Sequence, residues 1–427
     1  MIKKITRFAL LVGATMGVCS ANAGGYQLND YSVTGLGRSY AGQGIVGDDY
    51  SAIAFNPAGM TLMEKSGVQQ VFNFINLRAD VDGLENHAGK HKKMNFWQPV
   101  PAGFAQYSVN DRFKLGFGIY APFGLKTQYD SNWYGSDAAI LSKLDIVDFN
   151  LSAAYKLTDH LSVGASAILR YIYGRMTNSL TPLLGGGEAN FNVHGWTQTA
   201  TLGVMYELNK NTRFGLAYRL RSAQRAKGHF KTTGNRGFMM PDGHGGYVMM
   251  PSMDGRYSVN ANPDLPESIA FSAYHRYKDV GFSGTARWTH WTSSFPNFTV
   301  RSDAPVIQLL GGEKKSYYRY TNSWTLTGGV DYYFCKNLTF RFGGGWDESP
   351  AHDASRRTIR IPDNDRWWMS VGASYMKNNW QIDVGYAHMI ARTAKAMEDN
   401  PRIGEPVHAK YKNMQSHILG VQVQYKF

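Results

Sequence analysis

Residues 417–427 read HILGVQVQYKF, and this closing stretch decides the fold. From Leu419 to Phe427 every second side chain is apolar or aromatic, and those between are Gly, Gln, Gln and Lys. A period of two is typical of a β-strand with unlike faces, and in a transmembrane barrel the apolar face meets lipid. We therefore predict a lipid-facing strand. An amphipathic strand of a soluble sandwich has the same pattern and is the alternative.

The same alternation recurs along most of the chain, and it predicts about fourteen strands. Their cores are 68–79, 99–108, 112–120, 147–157, 160–176, 193–208, 212–228, 267–277, 280–292, 323–335, 337–346, 366–377, 379–389 and 415–427. Short polar connections alternate with long ones, as in outer-membrane barrels with short turns on one side. An open sheet edge cannot face lipid, so the predicted fold is all-β, a closed antiparallel transmembrane β-barrel.

The long connections are predicted as outer loops. They span 80–98, 121–146, 177–192, 229–266, 293–322, 347–365 and 390–414.

The composition agrees with this fold class and excludes a helical membrane protein. Aromatic residues reach 14% and charged residues 18% of the 427 positions, against about 25% charged in soluble domains. Mean hydropathy is −0.35, and after the first residues no stretch supplies the roughly 20 apolar residues of a spanning helix. Alternating lipid-facing and lumen-facing positions explain a mildly polar average.

The first residues are predicted to be a secretion signal, residues 1–23. Lys3, Lys4 and Arg7 precede the apolar stretch 8–19, and Ala21-Asn22-Ala23 is a small-residue cleavage site. The mature chain would begin at Gly24 and carry 42 basic and 32 acidic residues, a net charge of 42 − 32 = +10. We expect it in the outer membrane of a Gram-negative bacterium.

Residues 24–66 lack the alternation and are rich in Gly, Ala and Ser. We predict that they fold into the lumen as a plug, or hatch, and that residues 67–427 form the barrel. This region resembles the FadL-type outer-membrane transporters of long-chain fatty acids and other hydrophobic compounds. The resemblance is carried by Gly25-Tyr26-Gln27-Leu28-Asn29, Gly35-Leu36-Gly37-Arg38-Ser39-Tyr40-Ala41-Gly42, Asp48-Asp49 and Asn56-Pro57-Ala58.

The resemblance implies a fourteen-stranded barrel with an N-terminal hatch and a passive transport path. Substrate is captured at outer loops, passes to a lumenal pocket and leaves sideways through a gap at a kink in the third strand, after the hatch rearranges. The hatch residues to which it assigns transport are Gly35, Gly37, Arg38, Asn56, Pro57 and Ala58. A purely structural Asn-Pro turn is the alternative for the last three.

Gly116, Gly118 and Pro122 are the candidates for the kink, because Gly and Pro weaken or interrupt strand pairing. The alternative is that the glycines only fill the lumen and that Pro122 begins a loop. A dry, aromatic-lined path suits a greasy ligand, since burying one CH₂ group is worth about 0.8 kcal/mol.

Candidate substrate contacts lie on the lumen face and in two loops. Alternation points Arg170, Arg219, Arg287 and Arg341 into the lumen, where a guanidinium suits a carboxylate head group. Pairing with Asp48, Asp49 and Glu64 is the alternative. Residues 121–146, with Trp133, Tyr134 and Leu141, are predicted to form a short amphipathic helix over the mouth.

The stretch 238–253 holds five Met, including Met239 and Met249, and suits a greasy surface or plain loop packing. We expect a long-chain fatty acid or another hydrophobic small molecule as substrate, with uptake of small aromatic hydrocarbons and a surface adhesin or antigen as alternatives. A general porin would lack so long a plug.

The expected partners are outer-membrane lipid, lipopolysaccharide and, from the terminal Phe, the barrel assembly machinery. The protein is expected to be a monomer. We predict no enzyme, because G-x-S-x-G and H-E-x-x-H are absent. No cofactor, metal site or nucleic-acid module is expected.

Overall fold

The computed structural model describes residues 25–85, 88–241, 244, 246–293, 297–308, 311–398 and 407–427. The predicted signal peptide and Gly24 lie outside these residues. Within them the chain forms one closed antiparallel barrel of fourteen strands, in which each strand pairs with its neighbours in sequence. The last strand closes on the first through a register that runs from Gly67 opposite Lys426 to Gly83 opposite Ala409. The predicted fold class is confirmed.

Five of the fourteen strands are built from two segments each. The strands are β1 Gly67–Gly83, β2 His91–Ser108, β3 Phe113–Gln128, β4 Leu141–Lys156, β5 Leu161–Ser179, β6 Glu188–Asn209, β7 Thr212–Arg219 with Ala226–Thr233, β8 Gly255–Ala261 with Ser268–Tyr277, β9 Val280–Thr289 with Asn297–Ser302, β10 Glu313–Tyr317 with Ser323–Cys335, β11 Leu338–Asp347, β12 Arg366–Lys377, β13 Trp380–Ala391 with Ala394–Glu398, and β14 Val407–Lys426.

Several connections are shorter in the structure than predicted, because the strands continue past the alternating cores. Strand β3 runs to Gln128 and β4 begins at Leu141, so the predicted loop 121–146 shrinks to 129–140. The amphipathic helix expected there is wrong, because these residues form turns. The predicted loops 229–266 and 293–322 likewise contain paired strand segments. Backbone N–H and C=O groups need partners, and extending the ladder supplies them.

The outward faces of the strands are apolar. Their exposed side chains include Leu326 and Val371, with Trp324 and Trp367 at one end of the strands and Tyr332 and Tyr375 at the other. Among the described residues, no helix is long and apolar enough to cross a membrane.

The N-terminal segment, residues 25–66, lies inside the barrel and is almost wholly buried. It contains α1 (Val33–Gly37), α2 (Ala52–Phe55) and a 3₁₀ helix, Pro57–Leu62. The Ser32 hydroxyl accepts a hydrogen bond from the Gly35 amide and caps α1. Outside this segment lie α3 (Pro305–Gln308), 3₁₀ turns at Pro182–Leu184, Trp291–Ser293 and Ala354–Arg356, and a hairpin of Phe238–Pro241 with Tyr247–Met250.

Candidate functional site

Glycines on the inner wall form the surface on which the N-terminal segment rests. We call five of them the glycine seats: Gly164, Gly203, Gly329, Gly343 and Gly372. A Cβ at Gly343 would stand 2.2 Å from the Arg38 carbonyl carbon, and one at Gly203 would stand 2.1 Å from Asn56 Oδ1. A Cβ at Gly372 would stand 2.8 Å from the Gly37 Cα. Backbone therefore packs on backbone at Gly164, Gly343 and Gly372. At Gly203 and Gly329 a side-chain atom of the segment takes the place of a Cβ. Only glycine permits so close an approach.

Arg38 fixes the segment to the wall through charge. Its guanidinium holds both oxygens of Asp48, at 2.6 and 2.9 Å, and reaches Asp331 on β10 at 3.2 Å. Arg341 on β11 contacts the same two carboxylates at 3.1 Å each. Although burial would raise the pKa of the Asp48 carboxyl, Arg38 and then Arg341 hold that pKa below its usual value. Arg38, Asp331 and Arg341 are buried and Asp48 is partly exposed, so this four-membered ion-pair cluster links the segment to β10 and β11.

Asn56, Pro57 and Ala58 form a capped turn against β6 and β7. Asn56 Oδ1 accepts a hydrogen bond of 3.1 Å from the Ala58 amide and caps the 3₁₀ helix. Asn56 Nδ2 donates to the carbonyls of Val204 and Leu216, at 3.2 and 3.4 Å. Pro57 is the first helical residue, where its missing N–H costs nothing. The turn therefore anchors the segment to the wall, and any part it has in transport stays a prediction.

The wall is incomplete between β2 and β3. Their pairing ends at Gly103 opposite Ile119, and beyond it β2 pairs only with β1, and β3 only with β4. The β3–β4 register shifts between Tyr120 and Phe123, a stretch that includes Pro122. Pro122 therefore lies at an interruption of the ladder, which its missing N–H explains, and its part in a kink or lateral gate stays a prediction.

Gly116 and Gly118 do not interrupt the ladder. They pair in register with Gln106 and Phe104, and a Cβ on either would meet Ile53 of the N-terminal segment, at 2.8 and 3.2 Å. They make room for that segment, so their assignment to the kink is corrected.

The start of the N-terminal segment pairs with the edge of β3 that β2 leaves unpaired. The Leu28 amide donates to the Pro122 carbonyl at 2.8 Å, and the Gly124 amide donates to the Tyr26 carbonyl at 2.9 Å. Gln27 and Phe123 stand directly opposite each other between these bonds. One residue earlier, the Gly25 amide donates to Asp363 Oδ2 at 3.0 Å. Two hydrogen bonds to β3, one to Asp363 and one from Thr289 Oγ1 to Gln27 Oε1 at 3.3 Å thus hold residues 25–28 beside the break.

Two apolar cavities flank the break, and the β11–β12 loop borders both. The first has a volume of about 610 Å³, part of it open to solvent. Its lining includes Tyr26, Leu125, Leu144, Ile172, Met176, Phe191, Val193 and Ile361. The second has a volume of about 660 Å³, also partly open to solvent, and is lined in part by Met94, Phe96, Lys126, Met389 and Met414. Lys126 Nζ stands 5.0 Å above the Phe96 ring, a cation–π contact across the two strands.

Arg360 brings a cation to the first cavity. Its guanidinium donates to Ser142 Oγ at 3.0 Å and to nearby carbonyl oxygens, and no described carboxylate lies within ion-pair distance. The sequence prediction missed it because it lies in the predicted loop 347–365, where alternation gives no direction to a side chain.

The four predicted lumen arginines all point inward, and each already has partners. Arg170 is bidentate to Asp148 on β4, at 2.6 and 2.8 Å. Arg219 donates to the Ala54 carbonyl, and Arg287 to Gln43 Oε1. Of the predicted hatch acids, only Asp48 is paired, with Arg341 as described above.

The loop residues predicted to contact substrate have different surroundings in the structure. Trp133 is buried and stacks on Tyr129 with ring centroids 3.9 Å apart, beside Tyr134. Leu141 opens β4 and is half-buried. Met239 and Met249 face each other across the exposed hairpin.

Buried Asp30 is the one carboxyl of the N-terminal segment with a strongly raised pKa among those described. Burial raises it to about 6, although the Tyr40 hydroxyl donates to Asp30 Oδ1 at 2.8 Å. Among the described residues, no cluster of His, Cys, Asp and Glu has the geometry of a metal site.

A closed barrel with an apolar outer face, an internal N-terminal segment and apolar cavities beside a broken wall is the arrangement of an outer-membrane transport protein. The chain belongs to the outer membrane protein transport protein family (OMPP1/FadL/TodX), whose family model matches residues 14–427. The predicted family and the predicted outer-membrane location are thereby confirmed.

Relatives and solved structures agree with this assignment. A long-chain fatty acid transport protein of Escherichia coli K12 is 28% identical over 435 residues, which cover 92% of this chain and 94% of that protein. A Pseudomonas aeruginosa FadL homologue has a TM-score of 0.81 at 23% identity, covering 94% of this chain and 100% of its own. The Ralstonia pickettii toluene transporter TbuX has a TM-score of 0.61 at 19% identity, covering 89% and 94%.

Proposed function

We propose that the protein takes up long-chain fatty acids passively across the outer membrane and releases them sideways through the break between β2 and β3. The observation that carries the proposal is Arg360, a cation with no carboxylate partner among the described residues, on the wall of an apolar cavity. An acyl chain gains about 0.8 kcal/mol for each CH₂ group it buries, and the guanidinium suits its carboxylate. The E. coli K12 relative named for fatty acid transport supports this substrate class.

The N-terminal segment acts as the hatch in this proposal. Tyr26 lines the first cavity, and its carbonyl is one of the groups that hold the segment on β3. A ligand that displaces Tyr26 would loosen residues 25–28 and open the edge of β3 towards the second cavity. Residues 33–59 would remain on the glycine seats, and no nucleotide is needed.

A reversible disulfide tests the moving part. Gln27 and Phe123 form a pair without mutual backbone hydrogen bonds, which brings Cα atoms to about 4.5 Å and suits a disulfide. We expect a Gln27→Cys, Phe123→Cys variant to lose uptake of labelled oleate when oxidised and to regain it with reductant, in a host lacking its own transporter. The two single variants are the controls. Wild-type uptake by the oxidised double variant would overturn the lateral path.

Small aromatic hydrocarbons are the second candidate substrate class, because the toluene transporter TbuX has a similar fold. A second measurement distinguishes them from fatty acids. Arg360→Gln should weaken binding of oleate about tenfold and leave binding of oleyl alcohol unchanged, because only the carboxylate meets the guanidinium. Arg221→Gln, on the outer surface, is the matched control. Toluene uptake without oleate binding would sink the fatty acid proposal and keep the transport one.

A further inference from the structure

The outer face of the barrel carries aromatic residues at two levels, eight positions apart along a strand. Trp324 and Tyr332 mark these levels on β10, and Trp367 and Tyr375 mark them on β12. Eight residues cover about 26 Å of strand, or about 20 Å along the membrane normal at a tilt of about 40°, which places the two levels near the edges of an apolar band about 25 Å tall. The Trp level therefore marks the outer-leaflet boundary, because it lies on the side of the long loops.

On β13 and β14 histidines take the place of tryptophan at this boundary. His388 lies eight residues from Trp380, and His417 lies eight residues from Tyr425. The two imidazoles stack with centroids 4.6 Å apart, and the Tyr386 hydroxyl lies 2.8 Å from His417 Nδ1. Both rings share the outward face with Val384 and Leu419, so polar groups face lipid here.

Arg78 continues this polar surface on β1. It is exposed, and it pairs with Gln415, two residues above His417 on the same face. Its Nε donates to Asn76 Oδ1 at 2.6 Å, and its two terminal nitrogens have no partner among the described residues. An arginine facing lipid costs about 2–4 kcal/mol at the midplane and about 0–1 at the boundary, so the boundary tolerates it.

Above the boundary, Lys395 and Lys410 stand directly opposite each other on β13 and β14. Like charges in such a pair destabilise a sheet. No described carboxylate lies within ion-pair distance of either lysine, and neighbouring Asp82 is taken by His91 and Lys412. Asp80 accepts a hydrogen bond from Asn413 Nδ2 at 2.7 Å. Lys410 stands opposite Asp82, which is already paired, so within the described part of the chain the two ammonium groups repel each other and form no ion pair.

We propose that these residues form a binding site for the phosphate groups of lipopolysaccharide on the outer wall of β13, β14 and β1. The site, called the basic strip below, consists of Arg78, His388, Lys395, Lys410 and His417. It starts at the outer-leaflet boundary and rises above it, the span in which this glycolipid carries its lipid A and inner-core phosphates. Arg78, Lys395 and Lys410 supply charged nitrogen donors on adjacent strands, and no described carboxylate lies within ion-pair distance of them, so they complement those anions.

Two exposed arginines elsewhere in the barrel already have a carboxylate partner. Arg221 is paired with Asp264 at 2.8 Å and Arg301 with Glu313 at 3.1 Å. They provide a control, because they are exposed cations that are neutralised within the protein.

The test is the affinity of the purified, detergent-solubilised protein for fluorescent rough lipopolysaccharide. We expect the triple variant Arg78→Gln, Lys395→Gln, Lys410→Gln to bind at least tenfold more weakly, since each cation near a membrane surface contributes measurably to anionic lipid binding. The double variant Arg221→Gln, Arg301→Gln should stay within twofold of wild type. Heat-modifiable migration on gels verifies that each barrel is folded.

Two further arms fix the ligand. Dephosphorylated lipopolysaccharide should bind the wild type no better than the intact glycolipid binds the triple variant. Phosphatidylglycerol micelles should compete poorly. Equal loss in the control variant, undiminished binding by the triple variant, or equal affinity for phosphatidylglycerol would each overturn the proposal.

Discussion

The N-terminal segment is held in the barrel in two different ways. Residues 33–59 rest on the glycine seats and are fixed by the ion-pair cluster of Arg38, Asp48, Asp331 and Arg341. Residues 25–28 are held mainly by backbone hydrogen bonds to β3 and one carboxylate contact, with Tyr26 against a cavity. The first part is packed too closely against the wall to shift. The hydrogen bonds of the second part can be replaced by hydrogen bonds to water or displaced by a ligand. The difference separates an anchor from a movable end.

The largest expected effect comes from removing charge in the anchor. Arg38→Met leaves buried Asp331 and partly exposed Asp48 with one cation fewer, and breaking a buried ion pair costs about 3–5 kcal/mol. We expect a loss of that size in urea unfolding of the detergent-solubilised protein. The exposed pair is the control, because Arg221→Met should cost less than about 1 kcal/mol. Equal costs would mean that the anchor is not held by charge.

The next effect depends on pH. The folded pKa of Asp30, about 6, lies above its ordinary 3.8, so its contribution to stability is complete below about pH 4 and is lost as pH rises through 6. At about 1.4 kcal/mol per pKa unit the loss reaches roughly 3 kcal/mol. Asp30→Asn should therefore raise the melting temperature at pH 7.5 and have little effect at pH 4.

The exposed Asp353 gives the control for this titration. Its pKa is lowered mainly by the Ser355 hydroxyl, so Asp353→Asn should lower stability at pH 7.5, if it changes it at all. A melting temperature of Asp30→Asn that tracks the wild type at both pH values would contradict a protonated Asp30.

A third prediction compares neighbouring glycines on one strand. Gly343→Ala drives a methyl group into Arg38 and should cost about 1–3 kcal/mol, as overpacking does. Gly344→Ala points outward, where the nearest atom is 3.6 Å away, and should leave the free energy of unfolding within about 0.5 kcal/mol. Thermal unfolding of the two variants measures the difference. Equal stability would show that the segment is not seated on Gly343.

The smallest effect concerns the movable end. Asp363→Asn replaces the charged acceptor of the Gly25 amide with a neutral one and leaves Arg366 its second carboxylate, Asp347, so it should cost only about 1–2 kcal/mol. Amide exchange should speed up at Leu28 and Gly124 and stay unchanged at Asn56 and Gly59, because only the former hold the end. Asp353→Asn, on the same loop, is the control. An equal change in amide exchange rate across residues 25–59 would contradict the distinction between an anchored part and a movable end.

Much of the fold could be predicted from the sequence, because lipid imposes a period of two on every strand that it touches. The pattern from Leu419 to Phe427 is repeated on the outward faces of the described strands. The extensions beyond the bilayer could not be predicted, since no solvent contrast marks their two faces there. The wrong helix in 121–146 follows from the same loss of signal, because its apolar residues face neighbouring loops.

The candidate site was predictable only in part. An interruption at Pro122 could be predicted because proline has no backbone N–H to donate. Gly116 and Gly118 were misassigned because glycine occurs both at strand kinks and where another segment packs closely on a strand. Arg360 had no signal at all, since a loop folded against the barrel interior has no period.

The sequence by itself determined the barrel, the strand number, the family and the location, because each depends on local alternation or a contiguous motif. Only the tertiary structure decided which glycines seat the N-terminal segment, where β2 leaves β3, and which cations lack an acid. These features depend on which residues the closed barrel brings together across the lumen and along the outer wall. Such residues are far apart in sequence, so no local pattern predicts their contacts.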